Sequence, residues 1–409
     1  MSGAFPPVER DDWLDAPEGL RMLPGGSVTS PEGYSAAAVA SGAKTTGGLD
    51  IGILRADRTA VAWLVDTVNA LPSAPVRLNR TRNRSRLQAV VVNASKANAG
   101  TGAVGLEDAH EMVRRAARGL GLDEDTVAVC STGTIGERVD LKKALPAIDQ
   151  VCQAMAPDGG ADFGLAICTT DRAPKGGAFQ IELPTAGTVT IGIAAKGAGM
   201  IRPTMATMLA YLTTDAAVNA EDLQHLTQRV ARASFNRISV DGQMSPSDTL
   251  LVMANGEGGP IEGDDLELLT QAMTAVCRWA AIQMVKDGEG AEHAVRVLVT
   301  GARDTAEADR VARAVGESSL VKTAIFGRDP NWGRISQAVG QALASTPGVP
   351  PQLDVRIDGH ALTAPELAQV MALPEYDVEL SLGRGSAETV LWASDLTHAY
   401  ITLNAEYHT

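Results

Sequence analysis

Lys196-Gly-Ala-Gly-Met-Ile-Arg-Pro-Thr-Met-Ala206-Thr207-Met-Leu-Ala-Tyr-Leu-Thr-Thr-Asp215 is the stretch on which the reading of this chain turns. Gly197 and Gly199 let the backbone turn sharply. Pro203 then restrains the chain ahead of Met205-Ala206-Thr207. Pattern alone leaves several meanings open. A strand, a glycine turn and a helix also describe phosphate-binding loops, although no Lys-Ser/Thr pair follows here. On pattern alone, a buried turn in which Thr207 merely caps a helix is the preferred reading.

The flanks of this stretch predict alternating elements. Thr188–Ala194 is β-branched and reads as a strand, with Met205–Leu212 following after the glycine break. Upstream, Ile51–Leu54 and Ala89–Val92 read as short buried strands. Leu106–Leu122 carries Met112, Val113, Ala116 and Leu120 at helical spacing. Downstream, the pattern predicts helices over Ala220–Ser234, Asp264–Met284 (capped near Asp264) and Ala306–Val315. It predicts strands at Leu250–Met253, Val295–Thr300, Val355–Ile357, Val378–Leu382, Val390–Trp392 and Ile401–Leu403. This is an α/β or α+β protein with layered sheets. Residues 1–27, rich in Gly, Pro and charge, read as a loose leader.

Composition narrows the function. The 409 residues are 45% hydrophobic and 21% charged, enough for two domains with cores of their own. A formal net charge of −14 argues against nucleic acid as a partner. The arginine-rich Val76–Arg86 stretch lacks interleaved aromatics and reads as solvated. Four cysteines without a CxxC pair, and six scattered histidines, suggest neither a disulfide framework nor zinc. No apolar run reaches membrane-spanning length. The expectation is a cytoplasmic enzyme that uses no metal or cofactor and binds no membrane.

The central stretch closely resembles the signature of the ornithine acetyltransferase (glutamate N-acetyltransferase) family, Lys-Gly-x-Gly-Met leading to Met-Ala-Thr-Met-Leu and Thr-Thr-Asp-Ala. The resemblance runs from about Val28 to Thr409. It includes Val28-Thr-Ser-Pro-Glu-Gly-Tyr34, similar to the family's opening strand, and Ser131-Thr-Gly-Thr-Ile-Gly136, similar to its oxyanion loop. Thr169-Thr-Asp171, Ser239-Val-Asp-Gly242, Ser247-Asp-Thr249, Lys286-Asp-Gly-Glu-Gly290, Leu320-Val-Lys-Thr-Ala324 and Asp329-Pro-Asn-Trp-Gly-Arg334 match in order. The last of these reads as a structural turn locked by an Arg–Asp pair.

The resemblance implies a layered αββα sandwich with a second, smaller α/β domain. It implies self-cleavage between Ala206 and Thr207 into chains 28–206, behind the leader, and 207–409. Thr207 then becomes an N-terminal nucleophile that moves acetyl from N2-acetyl-L-ornithine to L-glutamate. Thr132 and Gly133 are the implied oxyanion donors. Thr169, Lys196, Thr207, Glu289, Asn404 and Thr409 are the implied substrate contacts. Two pairs of cut chains are expected to form a heterotetramer.

The chemistry is consistent with those residue types. A free α-amine, with reference pKa of about 7.7–8.0, can activate its own threonine hydroxyl, which a peptide-bonded nitrogen cannot. Lys196 suits a substrate carboxylate, and Glu289 a substrate ammonium or the capping of a glycine-flanked turn. Two stretches depart from the family. Asn93-Ala-Ser-Lys-Ala-Asn-Ala99 carries Lys96 where a small polar residue is usual. Thr67-Val-Asn-Ala-Leu-Pro-Ser-Ala-Pro-Val76 lacks two basic residues. These leave room for a related acyltransferase with another amino-acid substrate, or for an amide hydrolase. A non-catalytic phosphate-binding protein is the reading from a different class.

Overall fold

The computed structural model describes residues 10–44, 47–202, 208–346, 348 and 350–406. Ala206, Thr207 and Thr409 lie outside the described residues. In chain order the strands are β1 (Arg21–Leu23), β2 (Tyr34–Val39), β3 (Ile51–Asp66), β4 (Arg86–Asn93), β5 (Val127–Ser131), β6 (Lys175–Leu183), β7 (Gly187–Lys196) and β8 (Leu209–Thr214). They continue as β9 (Ile238–Ser239), β10 (Thr249–Ala254), β11 (Ala294–Ala302), β12 (Asp354–Ile357), β13 (His360–Ala361), β14 (Glu375–Ser381) and β15 (Ala387–Ser394).

Among the described residues, one sheet runs β1-β6-β7-β8-β10-β3-β4-β5, with β2 beside β3. Strand alternation sends Leu54, Val90, Val92 and Cys130 from one end, and Ala194, Leu209, Tyr211 and Leu251 from the other, into one inner core. The opposite face at the β3–β5 end packs on the helices Gly102–Leu120 and Leu141–Gln153. At the β6–β10 end it packs on Ala220–Ala233 and Gly263–Lys286. The result is helix, sheet, sheet, helix, with a mainly aliphatic interior. A second sheet, β13-β12-β14-β11-β15-β9, has its own core with the helices Thr305–Gly316, Ser319–Phe326 and Trp332–Leu343. Among the described residues no helix is long and apolar enough to cross a membrane.

Several expectations need correcting. Ile401–Leu403 is helical, within His398–Glu406. The Thr397 hydroxyl accepts the Tyr400 N–H at 3.2 Å, an N-cap that outweighs three residues of β propensity. In Val28–Tyr34 only Tyr34 begins a strand, because Pro31 and Gly33, at φ +78°, make turns first. The leader is docked from residue 10 onward. Trp13 is buried and its indole donates to Asp377, while Arg10 pairs with Asp358 and Asp377. Val76–Arg86 is not a free basic segment. Its first half is the helix Ala74–Arg80, and Arg80 and Arg84 both pair with Asp66. Arg334 bonds the Leu320 carbonyl and the Thr323 hydroxyl rather than Asp329, whose partner is Asn331. The strand expected at Ile51–Leu54 continues to Asp66 through a polar, irregular middle.

Candidate active site

β7 and β8 are antiparallel neighbours, with Lys196 opposite Leu209. The chain between them therefore begins and ends at one place, the C-terminal end of β7. A cleft opens there, about 740 Å³ including its mouth. Thr132, Gly133, Thr169, Lys196, Glu289 and Asn404 all line it. The structure thus brings together every expected site residue that it describes. Ala97, Asp241, Ser245 and Tyr400 complete much of the wall.

Thr132 and Gly133 follow directly on β5. The Thr132 N–H donates to the Asn93 carbonyl at 2.9 Å, which pins the loop to the end of β4. Gly133 sits at φ +119°, and a Cβ there would lie 2.4 Å from the Ser95 carbonyl oxygen. Only glycine meets both demands. The neighbouring Asn93–Ala99 stretch is the platform under this loop. Ala97 N–H donates to the Thr134 carbonyl at 2.9 Å, and Asn93 ties back to Ser95 and Lys96. Lys96, the departure from the family pattern, pairs with Glu137 at 2.7 Å and is not among the cleft-lining residues.

Lys196 ends β7 in full burial, with its ammonium 3.3 Å from the Thr169 hydroxyl. Burial lowers its pKa, and Asp171 offsets part of that. Asp171 organises this wall. One carboxylate oxygen accepts the Gly197 N–H at 2.7 Å and pairs with buried Lys175, while the other accepts the Thr169 N–H at 2.9 Å. Burial pushes Asp171 up, but Lys175 and Lys196 outweigh it and hold its carboxyl down at about 2. Lys175 also pairs with Asp287, which Arg172 contacts at 2.8 Å. The site therefore has a charged underlayer in which each buried acid meets a base.

The opposite wall comes from other elements. Glu289 follows the helix Gly263–Lys286 and donates its N–H to the Ala198 carbonyl at 2.9 Å. Gly199 lies so near that a Cβ there would be 2.4 Å from the Glu289 carboxyl carbon. Asn404 donates to Glu289 at 2.9 Å from an exposed position on the last helix. Asp241, just past β9, accepts the N–H groups of Met200 at 2.6 Å and Ile201 at 2.9 Å. Burial raises the Asp241 carboxyl.

The Thr67–Val76 stretch, whose composition raised the question of the acceptor, stands behind the cleft. Thr67 donates to the Ser245 carbonyl at 2.7 Å and Asn69 to the Met244 carbonyl at 3.1 Å. None of its residues lines the cleft. Sequence reasoning assigned no role to Asp171, Asp241, Ser245 or Tyr400. The first two lay in matched motifs, and their signal was an acid flanked by Thr or Gly. Tyr400 had no signal beyond its aromatic ring near the chain's end.

Comparison with known proteins places the chain. A family model described as the ArgJ family matches residues 35–409. The arginine biosynthesis bifunctional protein ArgJ of Symbiobacterium thermophilum is 40% identical over 400 residues, covering 94% of this chain and 99% of that one. Its namesake from Bacillus licheniformis is 38% identical over 399 residues, covering 94% and 97%. Among solved structures, ornithine acetyltransferase from Mycobacterium tuberculosis complexed with ornithine is 35% identical, with a TM-score of 0.42, covering 46% of this chain and 100% of that one. With a matched model over most of its length and full-length relatives at this identity, the chain belongs to the ArgJ family.

Proposed function

We propose that this protein cuts its own chain between Ala206 and Thr207 and then transfers acetyl from N2-acetyl-L-ornithine to L-glutamate through an acetyl-Thr207 intermediate. The observation that carries the reading is one cleft. It gathers Thr132, Gly133, Thr169, Lys196, Glu289 and Asn404 at the end of β7, where the chain leaves for residue 207 and returns at Met208. The names of the relatives, arginine biosynthesis bifunctional proteins and an ornithine acetyltransferase, support the substrate class.

In the cutting step the Thr207 hydroxyl attacks the Ala206 carbonyl, and the peptide nitrogen leaves as the new α-amine. Water opens the resulting ester, leaving Ala206 as a carboxylate. That amine is the base for turnover. It takes the hydroxyl proton as Thr207 attacks the acetyl carbonyl, and passes it to the departing ornithine nitrogen. Glutamate's amine then attacks the acetyl ester and the steps reverse. Each tetrahedral oxyanion meets the Thr132 hydroxyl and the Gly133 N–H, donors already fixed before the reaction. Lys196 holds the α-carboxylate shared by donor and acceptor, Thr169 helps orient it, and Glu289 with Asn404 receives the amino end. Thr409 is assigned to the same contacts by family resemblance alone. On that resemblance, chains 28–206 and 207–409 stay together, two such pairs form a heterotetramer, and the enzyme works in the cytoplasm.

Intact-mass spectrometry of the purified protein, before and after acetylornithine, tests the reading. Two chains meeting at Ala206/Thr207, with an acetyl adduct on the second that glutamate removes, are expected. An intact, active chain sinks the self-cleavage. Removal of the adduct by buffer as fast as by glutamate makes the enzyme a hydrolase. Much faster removal by another amino acid changes the acceptor and keeps the reaction class.

A further inference from the structure

Leu320-Val-Lys-Thr-Ala324 matches the family pattern, yet none of its residues lines the cleft. The motif sits on the helix Ser319–Phe326, which packs in the core of the second sheet. Its middle residue, Lys322, is buried. Lysine is almost never buried without partners, because an ammonium taken out of water is costly. The Lys322 ammonium donates to the Ser394 carbonyl and, at 3.2 Å, to the Ser394 hydroxyl. The Lys322 carbonyl accepts the Leu396 N–H at 3.3 Å. Side chain and backbone of one residue thus grip both ends of Ser394–Leu396.

That stretch, with Thr397 after it, is where separate parts of the cleft wall are fastened together. The Ser394 hydroxyl donates to the Val240 carbonyl at 3.3 Å, one residue before Asp241. β9, which leads into Asp241, pairs with β15, Ile238 opposite Trp392 and Ser239 opposite Ala393. Asp395 accepts the Glu292 N–H at 3.0 Å and meets His293 Nδ1 at 2.9 Å, just past Glu289. The Thr397 hydroxyl donates to the Gly290 carbonyl at 2.7 Å and caps the helix that carries Tyr400 and Asn404. Asp241, Glu289, Tyr400 and Asn404 all line the cleft. Elements far apart in sequence therefore meet at one short segment, and Lys322 holds that segment.

We propose that Lys322 is a positioning residue for the outer wall of the cleft: through Ser394 and Leu396 it keeps Asp241, Glu289 and the last helix in register around the amino end of the substrate. This rests on the reading of the cleft given above. Lys322 itself lies behind the wall and touches no substrate. Electrostatics agree with the hydrogen bonds. Burial pulls the Lys322 ammonium down to about 8, while Asp395, Asp241 and Glu317 act to raise it. The cation is thus placed where the wall's own acid feels it. A methionine would fill much the same length and make none of these bonds.

The test is calorimetry with ornithine beside steady-state kinetics with acetylornithine. The variants are Lys322→Met, Ser394→Ala and, as a control, Val378→Ala in the core of the second sheet. Lys322→Met should weaken ornithine binding and raise the KM for acetylornithine by about 2- to 30-fold with kcat nearly unchanged, the range for a residue coupled to a site it does not touch. Ser394→Ala removes the hydroxyl between Lys322 and Val240, and should do the same by about 2- to 10-fold. Val378→Ala should lower the melting temperature and leave binding alone. Unchanged binding in either of the first two variants overturns the proposal. So does an equal loss in Val378→Ala, or a fall in kcat without a change in KM. If Lys322→Met does not fold, Ser394→Ala decides alone. A wild type that binds ornithine but transfers no acetyl group refutes the proposed function instead, and the calorimetric comparison still reads the wall.

Discussion

The two walls of the cleft are built differently. On the inner wall, Thr132, Lys196 and Asp171 are buried, and Gly133 is held in a conformation open only to glycine. The Thr132 N–H is tied to the end of β4, and the Gly197 and Thr169 N–H groups to Asp171 in the Asp171–Lys175–Asp287 underlayer. On the outer wall, Glu289 is half-buried and Asn404 exposed, on a helix with no fully buried residue. One side-chain hydrogen bond joins them. Such a contrast separates groups that must not move during bond making from groups that must let substrates in and out. It predicts that damage to the inner wall strikes catalysis and damage to the outer wall strikes binding, more gently.

Gly133→Ala should have the largest effect. Its Cβ collides with the Ser95 carbonyl and displaces a donor, so kcat should fall about 10²- to 10³-fold. Steady-state kinetics beside a melting curve would show it, and an unchanged kcat would remove the oxyanion role from this loop. Lys196→Ala comes next. A substrate carboxylate left without its buried partner costs about 2–5 kcal/mol, so the KM for acetylornithine should rise at least about 30-fold. Collapse of the melting temperature with unchanged binding in the folded fraction would make Lys196 structural.

Asp171 lets the underlayer be measured apart from catalysis. Its carboxyl is held at about 2 in the folded protein, below the unfolded range. The stability it supplies is therefore complete above roughly pH 4, and falls away by about 2 kcal/mol as pH drops toward its folded value. Urea melts between pH 6 and pH 2 should be flatter for Asp171→Asn than for the wild type by that amount. Identical slopes would mean the inner wall does not depend on this charge. The smallest effect is expected at the outer wall. Asn404→Ala should raise KM about 2- to 10-fold with kcat nearly unchanged, the loss of one exposed hydrogen bond. A drop in kcat matching that of Gly133→Ala would erase the distinction between the walls.

The same contrast explains what could be read from the sequence. β7 was legible because Thr188–Ala194 is a β-branched run, and the helix Gly102–Leu120 because Met112, Val113 and Ala116 fall on one face. β6 was not, since its Lys-Gly-Gly opening looks like loop and its strand character comes from pairing with β7 along its whole length. The long β3 was cut short by its polar middle, and the last helix was mistaken for a strand because three residues cannot display a period. In the site, Thr132, Gly133, Thr169, Lys196, Glu289 and Asn404 were expected from the family resemblance and line the cleft, whereas Ser245 and Tyr400 line it without having been expected. Asp171, Asp241 and Asp248 bind backbone N–H groups of residues distant in sequence, and only the folded chain shows which ones.

The strand order β7-β8-β10-β3 has a further consequence. A cut between Ala206 and Thr207 assigns β8 and β10 to one fragment and their outer neighbours, β7 and β3, to the other. The native protein hardly notices, because neither fragment can leave without tearing open the middle of the sheet. The denatured state of a cut protein would notice at once: one molecule would have become two, free to diffuse apart. Folding turns from a unimolecular into a bimolecular event, so the midpoint of melting becomes dependent on protein concentration. A protein cut in this way would persist through a slow rate of opening more than through a favourable equilibrium at high dilution. Cutting the backbone would make assembly a step that each molecule completes once.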